Sequence, residues 1–246
     1  MSVENISHVL YIVSIWVVPA LIAITFHEAA HGYLAWRLGD DTAFRMGRVT
    51  FNPLKHIDGF GTIALPALLL LVRAPFIFGW AKPVPVNFAR LRNPRRDMVL
   101  VAAAGPATNL ALAIASAWLL HVSFLLPEPV AAWTAYTLGA SVLINVIIAV
   151  FNMLPLPPLD GGKVAVGLLP RPLGTRLARL EKWGFLIILG LLFLLPFVGS
   201  RLGVDLHIFF WLVGVPSFLI INGIAVIVGV NVDLMHQLIA FVLGLG

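Results

Sequence analysis

The sequence contains no cysteine and has few charged residues. None of its 246 residues is Cys, and Asp, Glu, Lys and Arg together make up only 11%. The chain therefore has no disulfides and no thiolate ligands for a metal. A soluble domain usually has about 25% charged residues. The low charge, 60% hydrophobic residues and a mean hydropathy of +0.99 exclude an ordinary soluble domain and predict an integral membrane protein.

The basic residues are confined to short segments beside apolar runs. The formal net charge is +5, and every Lys and Arg except Arg73 and Arg201 lies in segments 37–55, 82–96 or 163–182. Positive charge in short loops next to membrane spans marks the cytoplasmic side. This distribution predicts contact with a lipid bilayer and does not indicate a nucleic-acid partner.

Long apolar runs predict an all-α polytopic membrane protein with about five to six transmembrane helices. We expect a single domain over residues 1–246. The predicted membrane helices span residues 8–38, 98–124, 134–154, 184–199 and 206–230.

The apolar run 61–80 does not have the pattern of a clean crossing. It contains Pro66, Arg73 and Pro75, whereas a transmembrane helix needs about 20 predominantly apolar residues. We therefore predict a re-entrant segment that enters the membrane and returns to the same side. Just before it, residues 48–51 predict a small β element.

Three ionisable residues lie close together in the first apolar run: His27, Glu28 and His31. Two histidines four residues apart lie on one face of a helix, so both imidazoles can reach one metal ion. The H-E-x-x-H pattern is typical of zinc metalloproteases, in which the Glu is a general base. A buried histidine often only satisfies a backbone carbonyl. Ionisable residues at membrane depth are costly, however, and by default mark a functional site.

A catalytic zinc also needs a third protein ligand and an open position. Asp160 stands out because it follows three prolines and precedes two glycines in an apolar stretch. Asp-Gly is a common turn pair, but the need for a third ligand favours Asp160 as that ligand. Asn152 could donate to a bound carbonyl or oxyanion, or form a helix cap or an interhelical bond. Asn109 either faces the active site or bonds two helices.

Three motifs together resemble the site-2 protease family of intramembrane zinc metalloproteases. They lie within about residues 20–165 and read Phe26-His27-Glu28-x-x-His31, Ala104-Gly105-Pro106-x-x-Asn109 and Asn152-x-x-Pro155-x-Pro157-Pro158-Leu159-Asp160-Gly161. The resemblance implies one Zn²⁺ per chain bound by His27, His31 and Asp160. It also implies that Glu28 activates water and that Asn152 holds the substrate or stabilises the oxyanion.

The resemblance further implies regulated intramembrane proteolysis, in which a transmembrane segment of a membrane-protein substrate is cut. We expect the short form of the family, since no PDZ or CBS domain fits in this chain. The catalytic core is expected at about 8–165, with additional helices at about 184–246. The expected location is the cell membrane of a prokaryote. The extended stretch 82–86 is a hypothetical clamp for the unwound substrate, by β-strand addition.

The ligands and the basic segments together predict a topology. If 61–80 crossed the membrane, Asp160 would lie on the face opposite His27 and His31. A re-entrant 61–80 removes this conflict and places all three basic segments in the cytoplasm. The N-terminus and loop 122–132 are then outside, and the zinc lies nearer the cytoplasmic face.

Two other functions are compatible with some of these residues. A divalent-metal transporter could use intramembrane His and Asp side chains as a pathway, and a non-catalytic membrane scaffold could retain the fold. Glu28 favours the protease, because a metal pathway does not require a carboxylate between the two histidines. The sequence does not indicate an oligomeric state.

Overall fold

The computed structural model describes residues 3–71, 79–204 and 206–245. Within these residues the chain is helical and has no β-strand, so the all-α prediction is confirmed. The β element predicted at 48–51 is wrong. These residues form bends, with the Arg48 N–H donating to the Ala43 carbonyl at 2.9 Å. A strand needs a neighbouring strand to pair its backbone groups, and the described residues offer none.

The α-helices follow one another with short connections. They are α1 Val3–Arg37, α2 Thr42–Arg45, α3 Leu65–Leu71, α4 Pro94–Ser123, α5 Val130–Asn152, α6 Asp160–Leu168, α7 Arg171–Ala178, α8 Glu181–Leu189, α9 Leu195–Arg201, α10 Val215–Val228 and α11 Val232–Val242. Short 3₁₀ turns lie at Pro53–Lys55 and Phe88–Arg90. Single π turns at Gly59–Ala64, Gly190–Leu194 and Phe210–Gly214 lead into α3, α9 and α10.

Five helical stretches in the described part of the chain are long and apolar enough to cross a membrane. They are Val9–Arg37, Pro94–Ser123, Val130–Asn152, Glu181–Arg201 and Phe210–Val228. Each corresponds to one predicted span, with ends shifted by a few residues. The last helix, α11, has 11 residues and is shorter than the roughly 20 residues that a crossing requires.

The interior is formed mainly by α1, α4 and α5, with α10 and α11 packed on α5. Small side chains line the contacts between these helices. Ala23 on α1, Ala113 and Ala117 on α4, and Ala140 on α5 are completely buried. Small residues allow helix backbones to approach closely in a membrane. The three helices are therefore near enough for polar side chains on one to contact the next.

The two ends of the segment 61–80 lie side by side. The Trp80 N–H donates to the Gly61 carbonyl at 3.1 Å, and the Thr62 hydroxyl donates to the Trp80 carbonyl at 2.8 Å. Twenty helical residues that crossed the membrane would separate the two ends by about 30 Å. The segment therefore returns to its starting point, as a re-entrant element must. Residues 72–78, with Arg73 and Pro75, lie outside the described residues.

The chain then continues as an extended stretch over 81–86, which is held against the loop that follows α2. The Lys82 N–H donates to the His56 carbonyl at 2.9 Å. The buried Arg48 guanidinium donates to the Lys82 and Pro83 carbonyls at 2.8 and 3.4 Å. These bonds place the extended stretch beside the C-terminal third of α1, where Glu28 lies.

Candidate metal centre

Two imidazoles of α1 converge in the interior of the protein. His27 and His31 are 5% and 8% exposed, and their Nε2 atoms lie 3.1 Å apart. One helical turn separates the two residues, so both rings leave the same face of α1. That face points towards α4 and towards the start of α6.

The Asp160 carboxylate meets both imidazoles. Its Oδ2 lies 3.2 Å from His27 Nε2 and 3.1 Å from His31 Nε2, and the residue is 5% exposed. Asp160 is the first residue of α6, after α5 ends at Asn152. A Cβ at Gly161 would collide with the Met153 carbonyl. Glycine at this position is therefore required for the tight turn that brings Asp160 to the histidines.

The donor set fits a zinc ion. Two imidazole nitrogens and one carboxylate oxygen lie within 4.8 Å of one another, and all three side chains are buried. This group is the one cluster of His, Asp and Glu in the described residues that could hold a metal. Two His and one carboxylate are a common ligand set of catalytic zinc sites, which keep a further position open. The predicted ligands His27, His31 and Asp160 are thus brought together.

The second carboxylate oxygen of Asp160 has a partner that the sequence reasoning missed. Lys163 donates from Nζ to Asp160 Oδ1 at 3.2 Å, one turn along α6. Burial raises the pKa of the Asp160 carboxyl, but its contacts with His27, His31 and Lys163 outweigh burial and hold this pKa below the ordinary value. Asp160 is therefore ionised at neutral pH, as a metal ligand must be.

The remaining ring nitrogens bond to α4. His27 Nδ1 lies 2.5 Å from Asn109 Oδ1, and His31 Nδ1 lies 2.7 Å from the Val101 carbonyl. Both partners are acceptors, so each Nδ1 donates and each Nε2 has a free lone pair for a metal. For Asn109 both sequence interpretations apply, because it contacts a candidate ligand and also bonds neighbouring helices.

The small-residue motif of α4 makes room for the imidazoles. A Cβ added at Gly105 would lie 2.5 Å from His31 Nε2 and 2.7 Å from His27 Nε2. Separations below 3.0 Å do not occur for real Cβ contacts, so any larger residue at this position would displace the rings. Gly105 therefore allows α4 to pass directly beside the candidate metal site.

Glu28 lies on the wall of the same cavity as the metal-site residues. This cavity has a volume of about 410 Å³, and His27, His31, Asp160, Asn152 and Glu28 line it. Glu28 Oε2 accepts a hydrogen bond from the Val84 N–H at 2.7 Å. The carboxylate is therefore close to the candidate ligands and is oriented by the extended stretch 81–86.

Asn152 reaches the cavity from the last turn of α5. Its Nδ2 donates to the Ile148 carbonyl of the same helix at 3.0 Å. Among the described residues its side chain forms this bond within α5 and no bond to another helix. Its side chain lines the cavity without a described contact to the metal-site residues, so binding of a substrate carbonyl would require exchange of this intrahelical bond.

Comparison with known proteins shows the family. Residues 125–195, which contain Asn152 and Asp160, match the model of peptidase family M50. The chain is 39% identical over 186 residues to a Bacillus subtilis protein named "Putative zinc metalloprotease YwhC", covering 73% of this chain and 80% of the relative. It is 32% identical over 205 residues to Rip2 of Mycolicibacterium smegmatis, which has the same description, covering 82% and 75%. No solved structure matches the chain significantly.

The chain belongs to peptidase family M50. It is an integral, multi-pass membrane protein and an intramembrane zinc metalloprotease of the site-2 protease type. The resemblance seen in the three sequence motifs is thereby confirmed. The match to the family model begins well after His27 and His31, whereas the alignment with Rip2 covers most of the chain.

Asn145 is a further polar residue of this M50 peptidase that the sequence reasoning missed. It lies in the middle of α5, is completely buried, and accepts from Asn109 Nδ2 at 2.8 Å. Its sequence signal is an amide within a mostly apolar span that also contains Asn152. Such residues in membrane helices usually bond neighbouring helices, and the signal does not name the partner.

Removing the carboxylate of Asp160 tests the candidate ligand set. We expect Asp160→Ala to lose most of its zinc and its proteolytic activity, because a two-ligand site loses most of its affinity. Metal analysis of the purified protein in detergent measures zinc per chain. Asp233→Ala, at an exposed position on α11, is the control and should keep its zinc. Full zinc retention in Asp160→Ala would show that the third ligand lies elsewhere.

A methyl group at Gly105 tests whether the close approach of α4 matters. Gly105→Ala should weaken zinc binding, because the new Cβ would displace one or both imidazoles. Gly223→Ala on α10 is the matched control, since no atom lies within 4 Å of the Cβ it would add. Helical Gly→Ala substitutions otherwise stabilise by roughly 0.5–1 kcal/mol. Zinc affinity measured by chelator competition should fall in the first variant only, and equal affinities would contradict the steric role.

Proposed function

We propose that this peptidase binds its catalytic zinc through His27, His31 and Asp160 and uses Glu28 as the general base. The observation that carries the proposal is the convergence of three buried ligand atoms within 4.8 Å, on the wall of a cavity that Glu28 also lines. The reaction is hydrolysis of a peptide bond within or near a transmembrane segment of a membrane protein. A transporter or scaffold does not require Glu28, and the relatives are named as metalloproteases.

Bound zinc supplies a Lewis acid that polarises a carbonyl and eases deprotonation of water near neutral pH. The chain's own groups handle the proton. Glu28 accepts a hydrogen bond from Val84 at one oxygen, which leaves further lone pairs for a water molecule. The carboxylate takes a proton from that water and delivers it to the leaving amine. We propose that Asn152 donates a hydrogen bond from Nδ2 to the substrate carbonyl or to the oxyanion.

An apolar substrate has a route to this cavity. A second cavity of about 540 Å³ adjoins it, with His27 and Glu28 on its wall together with Phe151 of α5 and Ile188 of α8. We propose that the substrate segment enters between α5 and α8. Its helix must unwind locally, because helical peptide bonds in lipid are internally hydrogen-bonded and shielded. The stretch 82–86 borders the site, since the Val84 N–H donates to Glu28. A clamp by β-strand addition at 82–86 stays a prediction.

We propose that one domain over 1–246 carries the activity, in the cell membrane of a prokaryote. The zinc is proposed to lie nearer the cytoplasmic face. The adjacent ends of the segment 61–80 support this arrangement, because the basic segments on either side of it then share one side of the membrane.

Replacement of Glu28 by Gln tests the base. Glu28→Gln keeps the size of the side chain but cannot accept the proton. It should fold and bind zinc as the parent protein does, while cleavage of a model transmembrane peptide falls by at least about 100-fold. Peptide cleavage in detergent and zinc content are measured on the same preparation. Near-normal turnover with Gln at this position would exclude Glu28 as the base.

Single cysteines test the topology, and the natural chain has no cysteine to give background. The exposed Glu128 lies on the 122–132 loop, and the exposed Ala89 and Thr175 lie in two of the basic segments. An impermeant thiol reagent added to intact cells should label Glu128→Cys and leave Ala89→Cys and Thr175→Cys unlabelled. Membrane disruption should expose all three. Labelling of Ala89→Cys from outside would contradict the re-entrant topology.

A further inference from the structure

A chain of buried hydrogen bonds leads from the metal site to the middle of α5. His27 Nδ1 bonds Asn109 Oδ1 at 2.5 Å, and Asn109 Nδ2 donates to Asn145 Oδ1 at 2.8 Å. Asn109 Nδ2 also lies 3.1 Å from the Ala23 carbonyl. Asn145 Nδ2 then donates to the Ser141 carbonyl at 2.9 Å. The chain connects α1, α4 and α5, and both amides are 0% exposed.

Main-chain carbonyls fix which atom of each amide donates and which accepts. The Ser141 carbonyl can only accept, so the amide nitrogen of Asn145 must face it and Oδ1 must face Asn109. The Ala23 carbonyl and Asn145 Oδ1 both accept, so the amide nitrogen of Asn109 faces them. Asn109 Oδ1 is therefore turned towards His27, whose Nδ1 must donate. His27 Nε2 is then the nitrogen that is free to bind a metal.

His31 also has Nδ1 as its donor and Nε2 free to bind a metal, but a single contact fixes this arrangement. His31 Nδ1 lies 2.7 Å from the Val101 carbonyl, so one main-chain acceptor is sufficient to orient the ring. His27 has no main-chain acceptor among its described contacts and depends on two side chains in sequence. The orientation of His27 therefore depends on Asn109 and, through it, on Asn145 of α5, whereas the orientation of His31 depends on a main-chain carbonyl of α4.

We propose that Asn145 is a positioning residue of the zinc site, although it has no described contact with a candidate ligand. It acts by holding the amide of Asn109 in the orientation that makes His27 Nδ1 a donor and His27 Nε2 a ligand. The proposal rests on the proposed role of His27 as a zinc ligand. Interhelical bonding alone would make Asn145 a stabilising residue without effect on zinc affinity, and this difference can be measured.

Two substitutions of Asn145 separate positioning from stability. Asn145→Leu has a similar volume and removes the acceptor for Asn109, whereas Asn145→Asp keeps that acceptor and places a carboxylate oxygen against the Ser141 carbonyl. The Asp variant should therefore be the less stable protein, because buried charge and an acceptor–acceptor contact are costly. A positioning role predicts the opposite order for zinc affinity. Asn145→Asp should bind zinc about as tightly as the parent protein, and Asn145→Leu should bind it more weakly.

Zinc affinity is measured by chelator competition and stability by thermal unfolding of the zinc-free proteins, all in detergent. We expect Asn145→Leu to lose about tenfold or more in zinc affinity, as for other partners of metal-binding histidines. The matched control is Trp133→Phe, which removes a 2.9 Å hydrogen bond from α5 to Ser14 of α1. This substitution leaves Asn109, Asn145 and Ser141 unchanged. Its zinc affinity should equal that of the parent.

The outcomes distinguish this inference from the proposed function. Parent-like zinc affinity in Asn145→Leu overturns the positioning role, as does a loss of affinity in both Asn145 variants that simply follows their loss of stability. His27→Ala is measured in parallel. Zinc loss in His27→Ala with no effect of Asn145→Leu leaves the ligand set intact and rejects only the role of Asn145. Zinc retention in His27→Ala rejects the ligand set itself.

Discussion

The contact of one carboxylate with two imidazoles is the interaction on which the rest of this structure depends. Asp160 Oδ2 lies within 3.2 Å of both His27 Nε2 and His31 Nε2, and all three residues are buried. Ionised groups in an apolar interior are stable only when they are paired, hydrogen-bonded or bound to a metal. The helices must therefore pack so that the start of α6 contacts the C-terminal third of α1.

Close backbone approach makes this packing possible. Gly105 brings α4 against the imidazoles, and Gly161 permits the turn that delivers Asp160. Because α4 is this close, its groups take the outer nitrogens of both rings, through Asn109 and the Val101 carbonyl. Gly105 and Gly161, which have no side chain, are therefore as important for the geometry of the site as the candidate ligands are. In a membrane, where apolar burial gives little preference for one packing over another, such steric fit determines how helices associate.

The extended stretch 81–86 depends on a second buried charge. The Arg48 guanidinium bonds the Lys82 and Pro83 carbonyls, and the next residue donates its N–H to Glu28. The loop after α2 therefore positions the backbone that orients the Glu28 carboxylate. Sequence periodicity could not reveal this arrangement, because the 48–51 residues have the composition of a strand. They form bends instead, since the described chain offers no strand for them to pair with.

The sequence by itself determined the membrane class and the five spans and indicated the candidate ligands, because apolar run length and the H-E-x-x-H spacing act locally along the chain. A missing third ligand also pointed to Asp160, since few acidic residues lie in apolar surroundings. Only the tertiary structure decided which polar side chains meet. Asn109 and Asn145 contact partners on other helices, and these contacts depend on how the helices rotate and approach. Helix rotation is set by packing between distant segments, which no local pattern specifies.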